Sequence, residues 1–502
     1  MAENTQNTST LEELIATRTE KLKQLRELGI NPYPYDYNVT HYAEDIVENY
    51  EEYEETVDVR LAGRLMAIRR MGKASFAHIQ DSTGKIQIYV KVDNIGEKMY
   101  EAFKLLDIGD WIGVAGKVMK TRTGEITIFT EELTVLNKSI RPIPVVKETD
   151  DEVYDAFSDK EQRYRQRYLD LIVNPEVKDI FKTRSAIIKQ IRRFMDDRGF
   201  IEVETPVLQP IYGGASARPF VTHHHSLDTD LYLRIADELY LKRLIVGGFE
   251  KVYEIAKDFR NEGMDRNHNP EFTMLEWYQA FVDYNFEMEM VENLIGEVAS
   301  ETGKTEVIFG EHTIDLSPPY ARKKMFDLFE EYLGTDISDF DRDQLFGFAK
   351  ENGIDVDDDM NYGKILDRIF GDKVEPNLIQ PTFVIDHPRA VSPLAKVKRD
   401  GSERLVERFE LIISGMEVSN AFSELNDPID QRERLEDQAR LRSEGDDEAQ
   451  VVDEDFLTAM EVGMPPTGGV GIGVDRLVML LTNQHSIKDV ILFPQMRPRT
   501  SD

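Results

Sequence analysis

The sequence predicts an α+β chain, a small front unit of five β-strands closed into a barrel and a larger back unit in which helices feed strands. Three patterns carry that reading. Apolar residues alternate with period two in runs between residues 57 and 135, a helical period fills 177–195, and three later segments place charged and aromatic residues at alternate positions. At 502 residues the chain can bury more than one hydrophobic core, on the order of three domains by size alone.

A charged amphipathic helix over residues 11–28 comes first, closed by Gly29 and then Pro32 and Pro34. From Val57 the pattern becomes that of a half-buried strand: Val57, Val59, Leu61 and Leu65 face one way, while Arg60, Arg64 and Met66 face the other. Further strands are expected at 74–80, 86–92, 111–119 and 125–135, with a helix near 95–106 between the third and the fourth. Five strands with a helix at that place make an OB-type barrel. On its second strand Phe76, His78 and Gln80 share the outer face, opposite Ser75, Ala77 and Ile79, with Lys73, Arg60 and Arg64 close by. An aromatic on such a face can stack a nucleic-acid base; a lone phenylalanine is more often core. The strand alone leaves both readings open.

Composition narrows the function. A net charge of -34 excludes indiscriminate nucleic-acid binding, because phosphate contacts need lysine and arginine, so any RNA must meet a local basic surface. The acidic runs at 44–55 and 444–455 read as solvated faces or loops. The absence of cysteine removes disulfides, thiolate zinc sites and cysteine nucleophiles, and suits a reducing compartment. The first ten residues lack an apolar signal core, and no run is long enough to span a bilayer, so a cytoplasmic chain with no membrane partner is expected.

Two prolines within 139–146 break the periodicity and mark a boundary. Three units result: a helical extension at 1–55, the OB-type unit at 56–145 and the back unit at 146–502. The last opens on Val177, Ile180, Phe181, Ile187, Ile188, Ile191, Phe194 and Met195 at helical spacing, with Gly199 as the cap, and then a short strand over 200–205 stopped by Pro206. Three motifs in this unit carry no function. Gly303-Lys304-Thr305 lacks the phosphate-loop glycine, Val298 standing in its place. Adjacent histidines at 223–225 point to opposite strand faces. Gly469, Gly471 and Gly473 lack the spacing of a dinucleotide-binding turn.

The informative segments are a hairpin, a further strand segment and a strand-to-helix turn. A strand over 252–262, a loop at 263–269 and, after Pro270, a strand over 271–280 put Arg260 and Glu262 on one face and Phe272, Glu276 and Tyr278 on one face, with Arg266 and His268 in the loop. A cross-strand ion-pair ladder would explain Arg260 and Glu262 but not the alternating aromatics and carboxylates. Over 408–425, Asn420, Phe422 and Glu424 share a face, while Glu410 and Glu417 are an odd seven residues apart, so a bulge or bend at Gly415 is needed to aim both the same way. Such a carboxylate pair suits Mg2+ held together with substrate phosphates. Lastly, residues 471–476 turn into a buried helix with Arg476 in its first turn, where the helix dipole disfavours a cation unless an anion sits beside it.

In this order, and behind an OB-type unit, the segments resemble the class II aminoacyl-tRNA synthetases, most closely the bacterial-type lysyl-tRNA synthetases, over nearly the whole chain. Residues 198–206 look like motif 1, Phe259-Arg260-Asn261-Glu262 like motif 2 and residues 471–476 like motif 3. The resemblance implies an antiparallel sheet flanked by helices, a helical insertion at about 318–370, a homodimer formed partly through motif 1, and ATP, lysine and tRNA(Lys) as partners, with Mg2+ and no zinc. It implies Arg260 and Arg476 as the catalytic cations and Arg260, Glu262, His268, Phe272, Glu410 and Arg476 at ATP, with Glu410 and Glu417 at the metal. Gly214, Glu238, Arg260, Glu276, Tyr278, Asn420, Phe422 and Glu424 match the amino-acid pocket, and Arg64, Phe76, Gln80 and Glu125 the anticodon face. Asp237, just before Glu238, departs from the family pattern.

Charge supports lysine independently: Glu238, Glu276 and Glu424 need cations to offset them, and a substrate with two ammonium groups supplies these. The alternatives are an aspartyl- or asparaginyl-type enzyme, whose pocket would want arginine or lysine, and a non-catalytic RNA-binding regulatory relative, which would have lost the ATP-gripping residues.

Overall fold

The structure, a computed structural model, describes residues 2–54, 58–144, 147–148, 153–154, 157–445 and 448–498, and divides into the units Met1–Asp159 and Lys160–Asp502. Val57 and residues 145–146, which the sequence reading placed at a strand start and in the linker, lie outside the described residues.

In the first unit β1 (Asp58–Met71), β2 (Ala74–Gln80), β3 (Lys85–Lys91), β4 (Trp111–Lys120) and β5 (Ile126–Asn137) close a barrel in the order β1-β2-β3-β5-β4. Alternation does the folding here: Val59, Leu61, Leu65, Ala77, Ile79, Ile86, Ile88, Val114 and Ile128 all turn into one buried core. The helix between the third and fourth strands is α2 (Glu97–Lys104), which plugs the barrel with Tyr100 and Phe103. Helix α1 (Ala2–Glu27) is held by a buried polar network. Arg18 donates to Ser139 Oγ (2.7 Å) and to the Ile108 carbonyl (2.9 Å), and the fully buried Lys138 ammonium meets Asp107 (2.6 Å) and Asp110 (2.8 Å). Leaving any one of these charges unpaired would be costly, so the network fixes the helix against the barrel.

The second unit is built on an eight-stranded sheet. Its strands are β6 (Ile201–Glu202), β7 (Lys251–Phe259), β8 (Glu271–Ala280), β9 (Ala321–Lys324), β10 (Thr382–Ile385), β11 (Arg408–Ile413), β12 (Met416–Ser423) and β13 (Thr467–Gly473), in the order β9-β10-β11-β12-β13-β8-β7-β6. The interior is antiparallel, but β6 with β7 and β9 with β10 are parallel, so the sheet is mixed where an antiparallel one was expected. Helices α3 (Val177–Asp196), α4 (Tyr284–Glu301) and α5 (Val474–Leu481) bury Ile187, Ile191, Phe194, Val291, Leu294 and Leu477 against Leu275, Trp277, Phe409 and Ile472 on one sheet face. That leaves the other face for a cleft.

Four expectations change. The strand over 200–205 shortens to β6, and beyond it only the Val203 N–H reaches the Tyr253 carbonyl. The strand over 252–262 ends at Phe259: Arg260 N–H still donates to the Pro270 carbonyl, but Pro270 has no N–H to return, and Asn261 turns away to Arg218. The segment 408–425 is two strands, β11 and β12, joined at Ser414 and Gly415, which both have positive φ. The expected helical insertion begins instead with edge strand β9; its helices Met325–Leu333, Arg342–Glu351 and Tyr362–Lys373 then form a satellite core around Phe329, Leu345 and Ile369.

Behind the sheet, Trp277 Nε1–H donates to the fully buried Glu287 at 2.8 Å, and burial pushes that carboxyl up to about 8. A proton held more tightly in the folded chain stabilises it fully below the usual carboxylate range, and that stability is lost as pH rises towards 8. Glu287→Gln is therefore expected to gain about 4 kcal/mol over the parent at pH 8 and nothing at pH 4. Urea unfolding followed by Trp277 fluorescence in a Trp111→Phe background measures it.

Candidate active site

The open sheet face forms the floor of a cleft of about 530 Å³ between β8, β13, β12 and β11. What makes room is β13, whose sequence Thr-Gly-Gly-Val-Gly-Ile-Gly puts almost no side chain on that face. A Cβ on Gly469 would stand 2.0 Å from Glu424 Oε1 and 2.4 Å from the Tyr278 ring, and one on Gly468 would stand 2.7 Å from Glu287 Oε1 on the opposite face.

One end of the cleft is acidic. Glu276 and Tyr278 alternate on β8, Glu238 opens the helix Glu238–Val246, and Glu424 follows β12. All four are buried. Tyr278 donates to Glu276 at 3.3 Å and the Asp237 N–H approaches its other oxygen at 3.4 Å. Burial first, and then the neighbouring carboxylates, push Glu276 well above the usual range; burial does the same to Glu424, against the pull of Lys242. Gly214, at φ +89°, brings its backbone within 3.1 Å, measured from a notional Cβ, of the Ala236 and Glu238 side chains. Asp237 and Asp258 lie behind Glu276, their nearest carboxylate oxygens within 4.8 Å of its own and of one another. The Arg234 guanidinium stands 2.9 Å from Asp237 and 3.5 Å from Asp258, and burial pushes Asp258 up to about 6 against the pull of Arg260 and Arg234.

The other end is cationic, with carboxylates beyond. The Arg260 guanidinium lies over the Phe272 ring at 5.1 Å, because Phe272 is paired with Asp258 two residues earlier on the same face of β7. Glu262 and His268 are exposed at the cleft mouth. His268 is oriented by Asp265 (2.8 Å) and meets Arg476 at 3.2 Å. Arg476 also donates to Glu417, at 2.6 Å to the carbonyl and 3.2 Å to the carboxylate. Glu410 and Glu417 both line the cleft. The register shift at Leu411/Ile412 brings them together, not the Gly415 bend, which is the hairpin turn itself. Arg408 links Glu410 (2.6 Å) to Asn420 (3.0 Å), and Phe422 lies one step along the same face. Two further carboxyls, Asp367 and Glu375, are pushed up to about 7 by burial and by Glu410 and Glu417. Oxygen donors with surplus negative charge fit a hard divalent cation.

The structure therefore brings Gly214, Glu238, Arg260, Glu262, His268, Phe272, Glu276, Tyr278, Glu410, Glu417, Asn420, Phe422 and Arg476 to one cleft. Glu424 differs, being sealed behind Tyr278 and Gly469 and ion-paired to the fully buried Lys242, which also meets Glu238 at 2.5 Å. Lys242 was missed, although its i,i+4 spacing from Glu238 on a helix was readable. Arg408 was missed too, two residues from Glu410 on the same strand face.

On the barrel, Phe76 is half-buried beside Tyr89 (4.8 Å between rings), which in turn lies 5.8 Å from Phe129, an aromatic stripe across β2, β3 and β5. Tyr89 and Phe129 follow the same period-two parity as Phe76 and had gone unnoticed. Glu125 accepts from His78 (2.7 Å) and the buried Gln87 (2.6 Å). Two expectations shift here: Gln80 keeps the parity of Phe76 and His78 but is buried, and Arg64 is occupied, stacked over Trp111 at 4.9 Å and donating to the Gly109 carbonyl. Of the three adjacent histidines, His223 and His224 lie on a strand and His223 pairs with Asp230 at 2.9 Å.

Two family models match. That of the class II tRNA synthetases (D, K and N) covers residues 159–497, and that of the OB-fold nucleic acid binding domain covers 59–136. Similar curated proteins include the lysine–tRNA ligases of Carboxydothermus hydrogenoformans (54% identical, over 97% of this chain and 99% of the relative), Thermoanaerobacter pseudethanolicus (54%, 98% and 98%) and Porphyromonas gingivalis (53%, 97% and 86%).

Gly469→Ala forces a methyl group into the Glu424 and Tyr278 side chains, and is expected to lower stability by about 1–3 kcal/mol in urea unfolding. Gly471→Ala, whose new Cβ would meet nothing nearer than 3.8 Å, is expected to lose at most about 1 kcal/mol.

Proposed function

Because the chain belongs to the lysine–tRNA ligases of the class II tRNA synthetases, and so activates lysine with ATP and transfers it to the 3′ end of tRNA, we propose how its two cleft ends divide that work. Lysine lies at the acidic end and ATP at the cationic end, with Arg260 between them. The observation that carries this division is the charge asymmetry of a single cleft: the buried carboxylates Glu238 and Glu276 at one end, with Glu424 directly behind Tyr278, and Arg260, Arg476 and an oxygen-rich wall at the other.

Lysine's α-ammonium meets Glu238 and its ε-ammonium meets Glu424 and Tyr278, while Glu276, Asn420, Phe422 and Gly214 shape the pocket. Phe272 stacks adenine and Glu262 contacts its edge. Arg476 and His268 take the outer phosphates. Glu410 and Glu417 hold Mg2+, which, when bound, offsets the charge of the polyphosphate. No side-chain nucleophile is needed: the lysine carboxylate attacks the α-phosphorus, pyrophosphate leaves, and Arg260 holds both reacting groups in register while stabilising the charge that develops. A terminal ribose hydroxyl of tRNA then attacks the aminoacyl carbonyl and releases AMP. An aspartate-specific pocket fits this end poorly, because a fourth carboxylate would have to be desolvated among buried ones, and an asparagine side chain brings no cation to offset them.

The barrel face with Phe76, Tyr89 and Phe129 offers stacking surfaces for anticodon bases, with Glu125 and Arg64 at its margin. Ile201, 49% exposed on the sheet-edge strand β6, offers an apolar contact for a second copy of the chain. Among the described residues no helix is long and apolar enough to cross a membrane, and the cysteine-free composition suits the reducing cytoplasm.

ATP–pyrophosphate exchange is expected with lysine and not with aspartate or asparagine; strong exchange with aspartate would overturn the pocket assignment. Phe76→Ala is expected to raise the KM for tRNA about tenfold or more and to leave exchange within twofold, since one lost stacking contact is worth about 1–3 kcal/mol. Ile201→Asp is expected to shift the chain from dimer to monomer in light scattering.

A further inference from the structure

The acidic pocket contains a cation of its own. Lys242 is fully buried on the helix Glu238–Val246, one turn after Glu238, and its ammonium lies between two carboxylates: Glu238 at 2.5 Å on its own helix, and Glu424, which follows β12. The Phe422 ring stands 5.6 Å away. Glu276 and Tyr278 on β8 and Arg408 on β11 are the other charged or titratable groups whose fields reach this pair. Arg408 is itself engaged with Glu410 and Asn420.

On the pocket reading given above, on which this inference rests, Glu238 and Glu424 are the partners of the two ends of the substrate. One buried ammonium therefore touches both recognition carboxylates from behind, on the side away from the open cleft. With a cationic substrate bound and the carboxyls ionised, Glu238, Glu276 and Glu424 contribute three negative charges and Lys242 one positive, leaving two; behind Glu276, Asp258 is offset by Arg234, and burial pushes Asp237 well above the usual range. We propose that Lys242 is a specificity-determining residue, a fixed internal ammonium that holds Glu238 and Glu424 in place and sets the pocket's charge deficit at the two positive charges of a dibasic amino acid.

Physical chemistry favours this over a structural ion pair. A buried pair formed for packing alone is roughly neutral compared with an apolar substitute, so it needs no connection to a binding site. Here both acceptors belong to the site. Burial already pushes Glu276 and Glu424 well above the usual range, with Lys242 pulling Glu238 and Glu424 back; without it, these carboxyls would hold their protons more tightly still. Protonated carboxyls do not attract an ammonium group. Burial works against Lys242's charge, and Glu238 and Glu424 outweigh it, so the residue stays charged with the pocket empty. Lys242 thus acts through Glu238 and Glu424 and is a positioning residue rather than a catalytic one.

The test is ATP–pyrophosphate exchange by the full-length Lys242→Met variant, with Lys242→Gln as the second neutral variant should the first fail to fold, and Lys242→Arg as the charge-preserving one. Either neutral variant is expected to raise the KM for lysine about tenfold or more at pH 7, with the KM for ATP and kcat within about threefold. The defect should shrink between pH 6.5 and 8.5, because the carboxyls that hold extra protons without Lys242 ionise again as pH rises. Lys242→Arg should recover at least half of the loss in lysine KM, on a logarithmic scale. Glu424→Gln in the same assay tests the underlying pocket reading by itself. If it raises the lysine KM and the neutral Lys242 variants do not, or if they lower kcat and raise both KM values alike at every pH, the inference fails and the pocket reading stands. If Glu424→Gln leaves the lysine KM unchanged, the pocket reading fails and the inference falls with it.

Discussion

A strand without side chains governs this catalytic unit. Strand β13 runs through the centre of the sheet as glycine at Gly468, Gly469, Gly471 and Gly473, and at Gly468 and Gly469 the neighbouring groups come closer than a Cβ would allow. Glu424 and Tyr278 take the space over Gly469, and Glu287 takes the space under Gly468. The cleft exists because β13 leaves it empty, and the buried carboxylates stand where they do because nothing on β13 keeps them away. The cost of flexible glycines mid-strand is offset by pairing on both sides, with β8 and β12.

Charge then differentiates the two ends of one cavity. At the closed end, burial dominates and carboxyls are pushed up; at the open end, Arg260, Arg408 and Arg476 keep carboxylates company near solvent. A substrate that carries two ammonium groups and a carboxylate complements that gradient along its length, and a polyphosphate complements the other half. The same sheet thus presents opposite electrostatic faces a few strand positions apart, and the register between strands is what separates them. A net charge of -34 does not bar a cationic end to this cleft, because local arrangement and not the total decides the field there.

Much of this was legible in the primary structure. The barrel strands followed from alternation, since a half-buried strand leaves an unambiguous period of two, and Arg260, Phe272, Glu276 and Tyr278 followed from the same parity. Errors arose where the period was not the deciding factor. Pro270, by failing to return a hydrogen bond, ended β7 three residues early, and the hairpin at Ser414-Gly415 looked like a bend because two short strands with a tight turn have the same composition as one bent strand. Parity puts Gln80 on the face of Phe76 and His78, but it does not show that neighbouring side chains cover it.

The sequence by itself determined the elements, the order of the three motif segments and the acidic character of one pocket, because each depends on residues close together in the chain. Only the tertiary structure decided which of those acids meets a cation: Lys242 reaches Glu424 across 182 positions of sequence. It also decided that Phe76 is one of three rings, through pairings of β2 with β3 and of β3 with β5. Distances between segments are set by strand register and by the room that glycine leaves, and neither has a local signature.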